Sequence, residues 1–207
     1  MKKVYASIVL MCLGIVSAVA QSTLSAELLK NPSFEEEMRS IRNRRFGPNG
    51  EGELFGGYLP EGYIPGWFII NHEEAPSKIE ITTDKLLNKS QQKALRWSIT
   101  EATEATPAIM INASSQGIEM TAGKHYTLTF WARADKRYKG QLRVGLFDRR
   151  TGEWCAQAMV KGKVKKRWKR YSIPFVAHKE HEKARFVITA DRPGTLYFDE
   201  VSLTVAE

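Results

Sequence analysis

"HYTLTFWARA", residues 125–134, alternates without a break. Tyr126, Leu128, Phe130 and Ala132 fall on one side of an extended chain, and Thr127, Thr129, Trp131 and Arg133 on the other. That period of two is the signature of a strand with one buried face. The next run, "QLRVGLFD" (141–148), repeats it, with Leu142, Val144 and Leu146 inward and Arg143, Gly145 and Phe147 outward. Further runs of the same kind are "ALRWSIT" (94–100), "WKRYSIPFVA" (168–177), "ARFVITAD" (184–191) and "TLYFDEVSL" (195–203). "KRYKG", "RRTGE" and "DRPGT" lie between them, each with a glycine for the positive φ of a tight turn. Long helical periods and internal repeats are absent. The pattern predicts an all-β fold, a two-sheet antiparallel jelly-roll sandwich.

Tryptophan beside arginine on a non-core face departs from the usual polar exterior. Flat aromatic rings bind the C–H face of a sugar, and fixed polar groups bind its hydroxyls. Trp131 offers the first; Arg133 and Arg143 offer the second, and the alternation predicts all three on one sheet surface. Phe147 is in phase with Arg143, and Trp154 follows the "RRTGE" turn at the sheet edge. The competing reading is that the 36–66 loop covers this face and makes Trp131 part of a secondary core. Trp67, Trp97 and Trp168 read mainly as structural.

Residues 36–66 are rich in glycine and charge and keep no period, so they read as a long surface loop inserted after a first strand. Phe55, Tyr58 and Tyr63 either fold over the binding face or tack the loop to the body.

"GTLYFDEVSL" (194–203) contains a phase slip. Leu196 and Phe198 alternate, as do Val201 and Leu203, but the two pairs are one residue out of step at Asp199 and Glu200. This predicts a bulge.

The first twenty residues read as a cleaved leader: Lys2 and Lys3, the apolar run Val4–Val16, then Ala18-Val19-Ala20. Cleavage after Ala20 implies a secreted or periplasmic protein. Residues 21–207 then make one domain, with no further apolar run long enough to span a bilayer. Cys155 is its only thiol, which excludes an intramolecular disulfide. Two of the eight net positive charges leave with the leader. Much of the rest sits in "KGKVKKRWKR" (161–170), read as a solvated hairpin in preference to a nucleic-acid site.

Other chemistries find little support. Glycoside hydrolysis needs two carboxyl groups flanking one bond, and the outward positions Thr127, Thr129, Arg133, Arg143 and Arg170 hold no acid. His72, His125, His178 and His181 lack zinc spacing apart from "HKEH", and no phosphate-cradling glycine loop occurs.

The ordered set "NPSFEE" (31–36), "PGW" (65–67), "ALRWSI" (94–99), "AGKHYTLTFWARAD" (122–135), "LRVGLFD" (142–148), "WKRYSIPF" (168–175) and "GTLYFDEVSL" (194–203) covers most of the mature chain. It resembles a carbohydrate-binding module of the superfamily joining families four, nine and twenty-two. In particular it is similar to the module near the N-terminus of family fifty-one α-L-arabinofuranosidases. The resemblance implies non-catalytic binding of a polysaccharide or oligosaccharide, an arabinose- or xylose-containing plant glycan, by a module serving a separately encoded glycoside hydrolase. The alternatives are an N-terminal fragment of an arabinofuranosidase lacking its barrel, or a sandwich that binds no sugar. The expected site is Trp131, Arg133, Arg143, Phe147, Trp154 and Tyr58. The resemblance also implies a structural calcium, for which Glu35 and Asp199 match family positions. Asp199 either holds that ion or caps backbone N–H groups.

Overall fold

The computed structural model describes residues 26–36, 63–70, 73–112 and 117–206. Among them the strands are β1 (Trp67–Ile70), β2 (Ser77–Thr82), β3 (Ala94–Ile99), β4 (Ala108–Asn112), β5 (Ile118–Met120), β6 (His125–Ala134), β7 (Leu142–Asp148), β8 (Glu153–Met159), β9 (Lys169–Val176), β10 (His181–Ala190) and β11 (Gly194–Val205). They form two antiparallel sheets, one ordered β1-β4-β10-β7-β8 with β5 also on β10, the other β2-β3-β11-β6-β9. This is the all-β sandwich that the alternation predicts.

The core lies between the sheets. Leu128, Phe130, Trp97 and Phe198 face in from the five-stranded sheet, and Val144, Leu146, Phe186 and Ile188 from the six-stranded one, all fully buried. Phe130 stacks on Tyr171 with centroids 5.2 Å apart and meets Phe198 at 5.9 Å. Aromatic pairs at these separations add attraction beyond the area they bury. Trp67 and Trp97 are likewise buried. Trp168 is half-buried, its indole N–H donating to the Lys85 carbonyl at 2.9 Å.

The connections correct the expected turns. "RRTGE" is a true hairpin between β7 and β8, with Gly152 at φ +75°. "KRYKG" instead crosses from β6 in one sheet to β7 in the other. Asp135 Oδ1 accepts from the Arg137 and Tyr138 N–H groups, Asp191 Oδ1 accepts from the Gln141 N–H, and the buried Tyr138 donates its hydroxyl to the Gln141 carbonyl. Gly140 is wanted there for space, since a Cβ would run into Asp191 Oδ1. "DRPGT" and "KGKVKKRWKR" also cross between sheets, so the basic run is no hairpin.

The bulge is where the phase slip puts it. Asp199 pairs with Trp131, and the next partner pair is Ser202 with Thr129. Glu200 takes φ +47°, which lets Val201 return to the core with Phe198 and Leu203. The bulge also docks the N-terminal segment: the Val201 N–H donates to the Pro32 carbonyl at 2.8 Å, and the Leu203 N–H to Glu27 Oε1 at 3.0 Å. Residues 26–36 are therefore turns clamped to β11, not the first strand expected before the long loop. Most of the 36–66 reading, including Phe55 and Tyr58, falls outside the described residues. Tyr63 is buried, and its hydroxyl accepts from the Gly66 N–H at 2.9 Å.

Candidate functional site

The outer face of the six-stranded sheet is apolar at its centre and cationic at its margins. Phe68, Ile111, Val187, Gly145 and Gln157 lie side by side across β1, β4, β10, β7 and β8. One pair further along, the row is Ile70, Ile109, Thr189, Arg143 and Met159. On the other flank Arg185, Phe147 and Trp154 follow one another across β10, β7 and β8. Phe147 and Trp154 meet edge to face at 5.3 Å. Ile111 and Val187 form a small cluster separate from the main core, with Phe68, Ile109, Phe147 and Trp154 packed on it. Ile70 and Met159, at 38% and 45% exposed, leave the ends of the Arg143 row open to solvent. Such a surface offers rings and aliphatic groups to C–H faces, and guanidinium and amide donors to hydroxyls.

Arg143, Phe147 and Trp154 are thus brought together as expected, and Arg143 is exposed with its Nε 3.5 Å from Met159 Sδ. Trp131 and Arg133 are not with them. Period-two alternation correctly turns both away from the core, but β6 and β7 belong to opposite sheets, so the two residues emerge on the far side of the sandwich from Arg143. The single platform expected from all three residues is therefore corrected to two faces. Phe68, Gln157 and Arg185 were missed, although Arg185 stands out of phase with the inward Phe186 and Ile188 in "ARFVITAD".

The outer face of the five-stranded sheet is largely covered. Ala94, Tyr197 and Asp199 point outward there and are nonetheless buried. Arg133 and Lys85 place their cationic groups 5.1 and 5.7 Å from the Tyr197 ring centroid. Trp131 is half-buried between its register neighbours Asp199 and Arg170. Much of this face is closed by the β2–β3 connection and by residues 31–36, since Glu35 Oε1 accepts from the Gln92 and Lys93 N–H groups and Gln91 bonds Glu200.

Asp199 sits beneath this cover. Its Oδ1 accepts the Glu200 N–H at 2.8 Å, while Oδ2 is sealed from solvent without a partner. Burial, opposed by that bond and aided by the nearby Glu200 and Glu35 charges, pushes its carboxyl up to about 7. Among the described residues no group of three or more His, Cys, Asp or Glu is arranged for a metal.

Beyond Phe147 the sheet ends in a pocket of about 480 Å³ lined by Asp148, Arg149, Arg150, His181, Glu182, Lys183 and Arg185. Asp148 is spent on internal bonds: the Arg150 N–H at 2.8 Å, the Thr151 hydroxyl at 2.9 Å, and His181 Nε2 at 3.1 Å, the last an electrostatic pairing off the hydrogen-bond direction. Burial raises its carboxyl pKa, but these donors outweigh it and hold the group at about 2. His181 Nδ1 accepts the Lys183 N–H at 2.8 Å, which leaves Nε2 to carry the ring proton toward Asp148.

A family model for a carbohydrate binding domain, of the type joining families four and nine, matches residues 26–194. The chain belongs to this family. No curated protein matches the module in sequence. Among solved structures the chain is similar to the arabinose-bound α-L-arabinofuranosidase MgGH51, at a TM-score of 0.61 and 19% identity over 87% of this chain and 26% of that chain. It is also similar to a solved CBM4 structure, at 0.54 and 16% identity over 86% of this chain and 99% of that chain. A third similarity is to the enzymatically active domain of bacteriophage CBA120 tailspike protein 4, at 0.50 and 14% identity over 79% and 22%. At these identities the likeness is one of fold. The module spans about a quarter of the arabinofuranosidase.

Proposed function

We propose that the outer face of the six-stranded sheet binds a polysaccharide or oligosaccharide without cleaving it, and that the ligand is an arabinose- or xylose-containing glycan. The observation that carries this is the row Arg185, Phe147 and Trp154 beside the Phe68, Ile111 and Val187 floor, in a chain of a carbohydrate-binding family. Aromatic rings next to planar donors match the two kinds of surface a sugar presents. The test is affinity electrophoresis through arabinoxylan: the protein is retarded, and Trp154→Ala relieves the retardation. Unchanged retardation in that variant overturns the assignment. Release of nitrophenol from an aryl arabinofuranoside by the isolated chain would overturn the non-catalytic reading.

A structural calcium at Glu35 and Asp199 belongs to the same proposal. The sealed, unpartnered Asp199 Oδ2 is an acceptor that a hard cation would satisfy, with Glu35 as the second carboxylate and the remaining oxygen ligands drawn from backbone carbonyls. Residues 1–20 support export to the periplasm or beyond, checked by N-terminal sequencing for a start at Gln21. A separately encoded glycoside hydrolase is the partner such a module would serve. The partial span of the arabinofuranosidase favours a second reading, in which this module accompanies a hydrolase barrel.

A further inference from the structure

The pocket beyond Phe147 differs in chemistry from the floor beside it. Arg149, Arg150, Lys183 and Arg185 bring four cations to its walls, against the carboxylates of Asp148 and Glu182. One of those carboxylates is already spent, since the Arg150 N–H, the Thr151 hydroxyl and His181 occupy Asp148. Arg185 is half-buried in the wall, and Arg149 is near enough for its charge to oppose that of Arg185. Arg149, Arg150 and Lys183 are exposed around the half-buried Arg185, and cations gathered on one recess favour an anion that more than one of them can reach.

The position of the recess gives it meaning. Arg185 is the register partner of Phe147, and Phe147 contacts Trp154, so the recess continues the aromatic row without a gap. A sugar ring resting on that row would carry a neighbouring residue, or a side branch, toward the cations.

We propose that this pocket is an anion subsite of the glycan platform, and that the module selects an acidic saccharide whose carboxylate or sulfate ester enters among Arg149, Lys183 and Arg185. The inference rests on the reading of the six-stranded face as the glycan platform. Arg133 and the exposed lysines of 161–169 lie on other parts of the molecule.

The experiment compares three probes by isothermal titration: a glucuronate-branched xylo-oligosaccharide, the same compound with its carboxyl reduced to the alcohol, and the reduced compound after sulfation. The acidic forms are expected to bind about tenfold tighter than the reduced form, the size of one charge-assisted bond. The form with the larger gain identifies carboxylate or sulfate as the preferred anion. The double variant Arg149→Gln, Lys183→Gln changes two pocket-lining side chains, with Arg149 and Lys183 both exposed. It is expected to lose the gain, keep its affinity for the reduced probe, and melt at the wild-type temperature. The gain should also shrink with added salt, as an electrostatic preference must. Equal affinity for all three probes, or a gain that survives in the double variant, overturns the subsite while leaving the platform standing. Binding of none of the probes overturns both. Should the double variant melt early, the salt dependence of the wild-type gain decides the question, and a gain indifferent to salt refutes the subsite.

Discussion

Phe147 and Trp154 face each other across the β7–β8 hairpin with ring centroids 5.3 Å apart and planes at 73°. Each ring fixes the other, so a ligand finds an aromatic surface whose orientation is set before binding. Trp154→Ala should weaken arabinoxylan oligosaccharide binding by at least about fivefold, in keeping with the loss of one stacking ring. Trp131→Ala, on the opposite face, should leave affinity unchanged. Titration calorimetry on both variants checks this, and equal losses would refute the choice of face.

Gly145 lies in the central row of the same face, buried and hard against β8. A Cβ there would collide with the Ala156 carbonyl oxygen and stand 2.8 Å from Gln157 Cα. Backbone cannot yield as a flexible side chain does, so Gly145→Ala should push β8 outward. The expected cost is about 1–3 kcal/mol, read by urea unfolding, together with weaker glycan binding because Trp154 and Gln157 ride on the displaced strand. A stable variant with normal binding would show that the sheet tolerates the extra carbon.

Calcium at Asp199 makes a prediction about stability instead of affinity. Chelation should lower the melting temperature of the wild-type protein, because the sealed carboxylate loses its counter-charge. Asp199→Asn keeps an acceptor for the Glu200 N–H and removes the charge, so its melting temperature should not respond to chelator or to added calcium. Differential scanning calorimetry with and without EDTA decides it. A wild-type melt indifferent to both reagents would dismiss the ion.

The sequence was legible wherever a strand buries one face and shows the other. β6 reads as a strand from end to end because Leu128 and Phe130 alternate with Thr127 and Thr129, and the bulge could be placed from a slip of one residue. The alternation cannot say which sheet a strand joins. That is decided by whether its connection turns back or crosses over, and "KRYKG" resembles a hairpin although Tyr138, Asp135 and Asp191 hold it as a crossing. Strands buried on both faces escape the same test: the first four residues of β4, "AIMI", are a continuous apolar run because Ile111 is covered on the outer face as Met110 is on the inner one. "EWCAQAM" of β8 hides for the opposite reason, having few β-branched residues to mark it. The site divided along the same line, with Phe147 and Trp154 found from local pattern and Phe68 missed because its neighbours in space come from distant strands.

Asp148 gives the pH dependence. Its carboxyl titrates at about 2 in the folded protein against an ordinary value of 3.8. A depressed folded pKa means that the unfolded chain binds the proton more readily, so the stabilisation is fully present above the unfolded value and is lost as pH falls from about 3.8 to about 2. Asp148→Asn should therefore be less stable than wild type at pH 7, and the gap should close as the pH approaches 2. Urea unfolding of both proteins at pH 7, 4 and 2.5 measures it; a gap independent of pH would mean that the substitution costs packing and not charge. The lowered pKa also bears on the pocket that Asp148 borders. At neutral pH the acid stays ionised but fully engaged by the Arg150 N–H, the Thr151 hydroxyl and His181, so it shapes the 149–152 turn without cancelling the cations that face solvent.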